Sequence, residues 1–225
     1  MLLGALVDAG LPPTALEDTF RSLGVKGWRI EATQAQRGGV VGTHLRILLD
    51  DPAHSHTWDD FRRILVASSL APHIQKRAIA VLARLEQAEA QAHRQAQGHL
   101  HELGSLDTLL DVVGVVAGLA YLQVEGVYSS PIPVGSGLVR SGHGLLPVPA
   151  PATLALIAMS KATVAPPLAQ ETGEMATPTG VALVTTLAVF ERPLMQVERY
   201  GYGLGTRDSP AVPNALAVWL GTVEE

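Results

Sequence analysis

The chain has 225 residues with a formal net charge of -5, 47% hydrophobic and 16% charged residues, and no cysteine. That length can bury one full core or two small ones, and an acidic balance with no basic run excludes an electrostatic nucleic-acid binder. Without cysteine there are neither disulfides nor thiolate ligands, so any metal must be held by nitrogen and oxygen.

In chain order, Leu2, Leu3, Leu6 and Val7 give a helix-spaced apolar face with no start signal ahead of it. This segment lacks a basic n-region and reaches Asp8 too soon for a secretory leader, which points to a cytoplasmic protein. Gly10 and Pro12-Pro13 end that helix, and residues 15–23 form a second. Residues 28–33 and 44–49 alternate as strands, each with one polar face, around a turn region at Arg37-Gly38-Gly39. An antiparallel sheet with one wet side is expected. Residues 51–60 are a polar connector carrying His54-Ser55-His56; such a loop pair is ordinarily solvated, with metal capture as the alternative. Residues 58–67 are helical, and Pro72 and Gly98 bracket a long helix with Ile74, Val81, Leu82, Leu85 and Ala88 on its core face.

That helix delivers the chain to Gly98-His99-Leu100-His101-Glu102-Leu103-Gly104-Ser105-Leu106-Asp107. In an extended segment side chains alternate, so His99 and His101 point to the same side. Gly104-Ser105 reads as a turn and an N-cap opening a helix at Leu106. Residues 106–122 are nearly all apolar, which buries the helix, and Asp107, Asp111, Gly114 and Gly118 share one face of it. A buried carboxylate is costly unless paired or metal-bound, and two histidines with a carboxylate suit many divalent ions. Asp107 in the first turn is equally served by the helix dipole alone. The two glycines let something approach the backbone. No segment fits a bilayer span: residues 112–124 are too short, and residues 141–160 are broken by Pro147, Pro149 and Pro151.

Downstream, residues 127–130 read as a short strand and residues 131–137 as irregular. His143 stands between Gly142 and Gly144, where backbone can come close to a ligand. The alternating prolines impose an extended rod that leads to a helix over 152–159 with Pro151 as its first residue. Thr177 reads as an N-cap, Pro178 as the first helical residue, and Gly180 as an open amide end before the apolar run 181–190; this is either an ordinary cap or an anion site. Residues 194–200 form a strand into Gly201-x-Gly203-x-Gly205, whose spacing is not that of a dinucleotide loop. Arg207 and Asp208 either meet a ligand there or form a solvated ion pair. Residues 214–220 close the chain as a strand. The class is α+β, mostly antiparallel sheet packed by a long helix and a buried central helix.

His99-Leu100-His101-Glu102-Leu103-Gly104-Ser105-Leu106-Asp107-Thr108-Leu109-Leu110-Asp111 resembles the central motif of the LarC-like family, the nickel insertion proteins of nickel-pincer cofactor biosynthesis. The likeness continues at residues 131–137, 142–144, 147–153, 173–180 and 201–208. The resemblance implies insertion of Ni(II) into a pyridinium-3,5-bisthiocarboxylic acid mononucleotide, a lyase-class reaction that yields the cofactor of lactate racemase-type enzymes. It implies His99, His101, Glu102 and His143 as metal ligands. Asp107, Asp111 and Glu174 become catalytic candidates, and Thr177, Pro178, Thr179, Gly180, Arg207 and Asp208 become substrate-binding candidates. It further implies that residues 1–225 are one N-terminal metal-insertion domain. On this expectation the family's first strand and a C-terminal domain, which uses CTP with Mg or Mn, fall outside this sequence; a partner segment and an acceptor racemase-like enzyme follow. Two other classes stand beside it: a nickel-holding accessory subunit with no reaction of its own, and a metal-dependent hydrolase, which needs a β/α alternation that is missing here.

Overall fold

The computed structural model describes residues 1–93, 103–141, 144–166, 168, 172–207 and 212–224. The first alternating pair folds as a hairpin: β1 (Trp28–Arg37) and β2 (Val40–Leu49) run antiparallel, from Trp28 opposite Leu49 to Arg37 opposite Val40. Both strands outrun the segments read from the sequence, because residues 34–37 of β1 go on pairing with residues 40–43 of β2 up to the Gly38 turn. A second antiparallel pair, β7 (Met195–Leu204) and β8 (Ala215–Val223), joins the first where Thr43 of β2 lies parallel to Gly203 of β7. The sheet order is β1-β2-β7-β8. Two small ribbons complete the strands, β3 (Gly135–Ser136) with β6 (Gly173–Glu174) and β4 (Leu138–Ser141) with β5 (Gly144–Pro147). The α+β class with a mainly antiparallel sheet is therefore observed.

Seven helices are formed by the described residues: α1 (Leu2–Asp8), α2 (Pro13–Ser22), α3 (Trp58–Ala67), α4 (Pro72–His93), α5 (Leu106–Tyr121), α6 (Pro151–Ser160) and α7 (Pro178–Leu187). Local chemistry sets several of their starts. At α3 the Thr57 hydroxyl accepts from Asp60 N–H at 3.1 Å while the Asp60 carboxylate accepts from Thr57 N–H at 2.8 Å, a reciprocal cap. Pro151 and Pro178 each take the first helical position, where the missing N–H is no loss. α5 is the hub of the core. Leu109, Leu110, Val112 and Val113 are wholly buried on it, and α1, α2, α4 and α7 all pack against it.

α1 lies across the sheet, seated on glycine. A Cβ at Gly201 or Gly203 would collide with α1 backbone at Ala5, Ala9 or Met1, and one at Gly4 would meet Thr43 O at 2.6 Å. Asp8, at the unfavourable end of the helix dipole, is compensated by three hydrogen bonds. Its carboxylate accepts from Tyr202 N–H at 2.9 Å, the Thr43 hydroxyl at 2.8 Å and Gln34 Nε2 at 3.3 Å.

Four expectations are corrected. Residues 127–130 form no strand; Tyr128 makes an isolated bridge to Val189. β7 does not stop ahead of its glycines but runs through Gly201 and Gly203, which carry α1. Residues 147–151 are not a continuous rod, because Pro147 belongs to β5, residues 148 and 149 bend, and Pro151 already opens α6. α7 ends at Leu187, as Val189 is taken by the Tyr128 bridge. Among the described residues no helix is long and apolar enough to cross a membrane.

Candidate functional site

The N-terminal end of α5 gathers the candidate chemistry. Ser105 occupies the N-cap position with extended backbone, but its side chain makes no capping bond; the turn closes through Thr108 N–H to Ser105 O at 3.1 Å. Asp107 is exposed on the first turn, and Asp111 is half-buried one turn on. The glycines on the same face have a packing role. A Cβ at Gly114 would meet Leu3 Cδ2 at 3.0 Å and Phe20 Cε1 at 3.2 Å, and one at Gly118 would meet Leu11 Cδ2 at 2.8 Å. What approaches the α5 backbone there is α1 and α2, so the acidic half of the strip alone is left for chemistry. His99, His101, Glu102, His143 and Asp208 lie outside the described residues.

Two titratable groups converge on the start of α1. Burial is the main cause that pushes the Asp111 pKa up to about 6, and the Asp107 carboxylate adds to it against the pull of the Met1 amino group. The His44 imidazole on β2 is held below its usual value, first by burial and then by the cations Arg37, Arg46 and the same amino group. Met1 thus lies within electrostatic reach of both α5 and β2.

A raised folded-state pKa means that the folded protein holds the Asp111 proton more tightly than the unfolded chain does. Stability from this group is complete below the unfolded value of 3.8 and is lost as pH rises through about 6. In metal-free protein, Asp111→Asn should remove that slope and leave the variant more stable at pH 7 by on the order of 1–2 kcal/mol. Thermal midpoints measured across the pH range check this; the same slope in the variant would assign it to another group.

The end of β1, the body of β2 and the residues that follow β7 gather a second set of polar groups. Arg37 Nε donates to Gly205 O at 2.9 Å and its Nη2 to Thr206 O at 3.4 Å, while His44 Nε2 lies 3.4 Å from Thr206 Oγ1. Arg207 Nη2 donates to Glu174 O at 3.2 Å, and Asn214 Nδ2 holds Arg207 O at 2.9 Å. Two separately predicted residues, Glu174 and Arg207, are therefore brought together, through the Glu174 backbone carbonyl. Three residues beyond Glu174, Thr177 caps α7, its hydroxyl accepting from Gly180 N–H at 3.4 Å. Among the described residues outside its own helix backbone, a Cβ at Gly180 would meet only Thr177 Oγ1, at 3.4 Å, so they leave this amide end with Pro178 and Thr179 open. Sequence reasoning missed Arg37 and His44, because the one signal that places them is the parallel junction of two strands 160 positions apart at Thr43 and Gly203.

The sequence profile of the nickel insertion protein family matches residues 1–225. A relative from Roseiflexus castenholzii, which carries a provisional nickel-insertion name, is 45% identical over 228 residues, covering 100% of this chain and 57% of its own. The pyridinium-3,5-bisthiocarboxylic acid mononucleotide nickel insertion proteins of Nocardioides sp. and Desulfitobacterium hafniense (strain DSM 10664 / DCB-2) are 40% and 39% identical, over 98% and 100% of this chain. The chain spans 56% of the length of each of those two. No solved structure matches it significantly. The chain belongs to the nickel insertion protein family.

Proposed function

We propose that this chain captures Ni(II) at the segment leading into α5 and presents it for insertion into a pyridinium-3,5-bisthiocarboxylic acid mononucleotide, the substrate in the names of two relatives. The observation that carries the reading is the match of residues 1–225 to the nickel insertion protein family, with Asp107 and Asp111 one turn apart at the start of the helix that His99-x-His101 precedes in sequence. A carboxylate base close to the metal is what metallation of a ring carbon requires. In this reading His99, His101 and Glu102, with His143, hold the ion through nitrogen and oxygen, donors that Ni(II) accepts ahead of Co(II) and Fe(II). Such donors release it downhill to a substrate offering two sulfurs and a carbon. As the nickel–carbon bond forms from the C–H electron pair, the ring proton passes to Asp107 or Asp111; whichever does not take it orients the histidines. Glu174 contacts the metal or a substrate hydroxyl.

The substrate phosphate goes to the open amide end at Thr177, Pro178, Thr179 and Gly180, with Arg207 and Asp208 beside it. Gly180→Val should weaken mononucleotide binding about tenfold or more and leave nickel affinity unchanged, read by calorimetry with each ligand alone. Equal substrate binding would reduce the motif to a helix start. Thr177→Ala is the control, costing about 1 kcal/mol as a lost cap.

Residues 1–225 act in this proposal as one N-terminal metal-insertion domain of a cytoplasmic lyase. Use of CTP with Mg or Mn belongs to the additional segment of the longer relatives, and the product passes to a lactate racemase-type acceptor. No Gly-x-x-x-x-Gly-Lys loop occurs in this sequence to grip a nucleotide triphosphate. The test is incubation of the chain with nickel, magnesium, CTP and the dithio mononucleotide, following cofactor formation by absorbance. Product on adding the relatives' C-terminal segment in trans, and none without it, is expected. Multiple turnover by this chain alone would contradict the division of labour; no product in either case would contradict the reaction.

A further inference from the structure

The connector between β2 and α3 carries a histidine pair that the proposed reaction does not use. The rings of His54 and His56 lie 4.6 Å apart between centroids and nearly perpendicular, at 80°. His56 is stacked on Phe61 at 5.6 Å and 24°, and its amide donates to Gly104 O at 2.8 Å, which fastens the connector to the turn that opens α5. Its Nδ1 is enclosed and has no hydrogen-bond partner among the described residues. A buried ring nitrogen without a partner costs on the order of 1–3 kcal/mol, an arrangement that persists where the nitrogen has a ligand to meet.

Among the described residues no carboxylate joins the pair to make a group of three that could hold an ion. Asp60 caps Thr57, and Asp51 accepts from Ala53 N–H at 3.2 Å. The donor set on offer is two imidazoles whose rings already meet across one intervening residue. Two neutral imidazoles, completed by water, suit a late divalent transition ion and hold it weakly enough to exchange. His54 is exposed, so ring rotation to share an ion with His56 is a fast, inexpensive motion. The location favours transfer: His101 is three residues before Gly104, and three residues of chain reach at most about 11 Å.

We propose that His54 and His56 form an ancillary site for Ni(II) that loads the His99-x-His101 segment. This deepens the nickel reading above and rests on it. The experiment is equilibrium dialysis of the purified chain against Ni(II) alone, with His54→Gln, His56→Gln and the double variant His99→Ala, His101→Ala, each checked for folding by circular dichroism. Wild type should take up two ions per chain and the 99/101 variant one. His54→Gln should lose the weaker ion and slow transfer from a nickel chelate to the tight site about tenfold. Should His56→Gln disturb the Phe61 stack and unfold, His54→Gln, whose side chain is exposed, carries the test alone. Unchanged stoichiometry in folded His54→Gln, or a single wild-type ion lost in the 99/101 variant, overturns the ancillary site and leaves the nickel reading standing. No uptake by wild type overturns both.

Discussion

Replacing His99 and His101 together by alanine is expected to lower affinity at the tight nickel site about a hundredfold or more, while the unfolding midpoint of the metal-free protein stays the same. The two histidines are two positions apart in sequence, and in a chain without cysteine imidazole is the strongest donor type left for Ni(II) ahead of α5. Removing even a group that merely orients a metal ligand costs 10–100-fold in affinity, so losing two ligands exceeds that. Calorimetric titration with Ni(II) gives the affinity, and thermal unfolding without metal gives the control. A folded variant with wild-type affinity at that site would move the tight site elsewhere, with His54 and His56 the first place to look.

Gly203→Val should have the largest effect on the fold. β7 carries α1 on a strip without side chains, and a Cβ at Gly203 would run into the Met1 carbonyl and Ala5 N–H. α1 cannot simply lift away. Asp8 ties its far end to β2 and β7 through Thr43 and Tyr202, and Leu3 and Leu6 are buried against the core. Backbone collisions of this kind fall in the exceptional class of destabilisation, about 4 kcal/mol or more. Urea titration should show either no cooperative transition or a midpoint far below wild type. Gly39→Ala is the matched control, since a Cβ there meets nothing within 4 Å. A wild-type midpoint for Gly203→Val would mean that α1 does not rest on β7.

What was legible in the sequence was whatever is encoded within a few residues. Thr177 with Pro178, and the apolar spacing from Val81 to Ala88, announce a helix start and a buried face locally, and the structure has them there. The continuous apolar run of α5 announced burial in the same way. The misses share a different cause. Gly201 and Gly203 read as a loop because glycine weakens a strand; their reason is a helix nearly two hundred residues away in sequence. Gly114 and Gly118 read as room for a ligand, and the occupant is Leu3, Phe20 and Leu11. Arg37 and His44 carried no spacing signal toward Thr206, because a single parallel junction brings them there. Of the candidate site, the carboxylates on α5 and the Glu174–Arg207 contact have a described setting.

The most direct measurement is nickel K-edge X-ray absorption on the nickel-loaded chain, wild type and the His99→Ala, His101→Ala variant. The account predicts a nitrogen and oxygen shell with outer-shell scattering from at least two imidazoles in the tightly bound ion, lost in the variant. An ion without imidazole scattering, or one with the same spectrum after both histidines are removed, would contradict it.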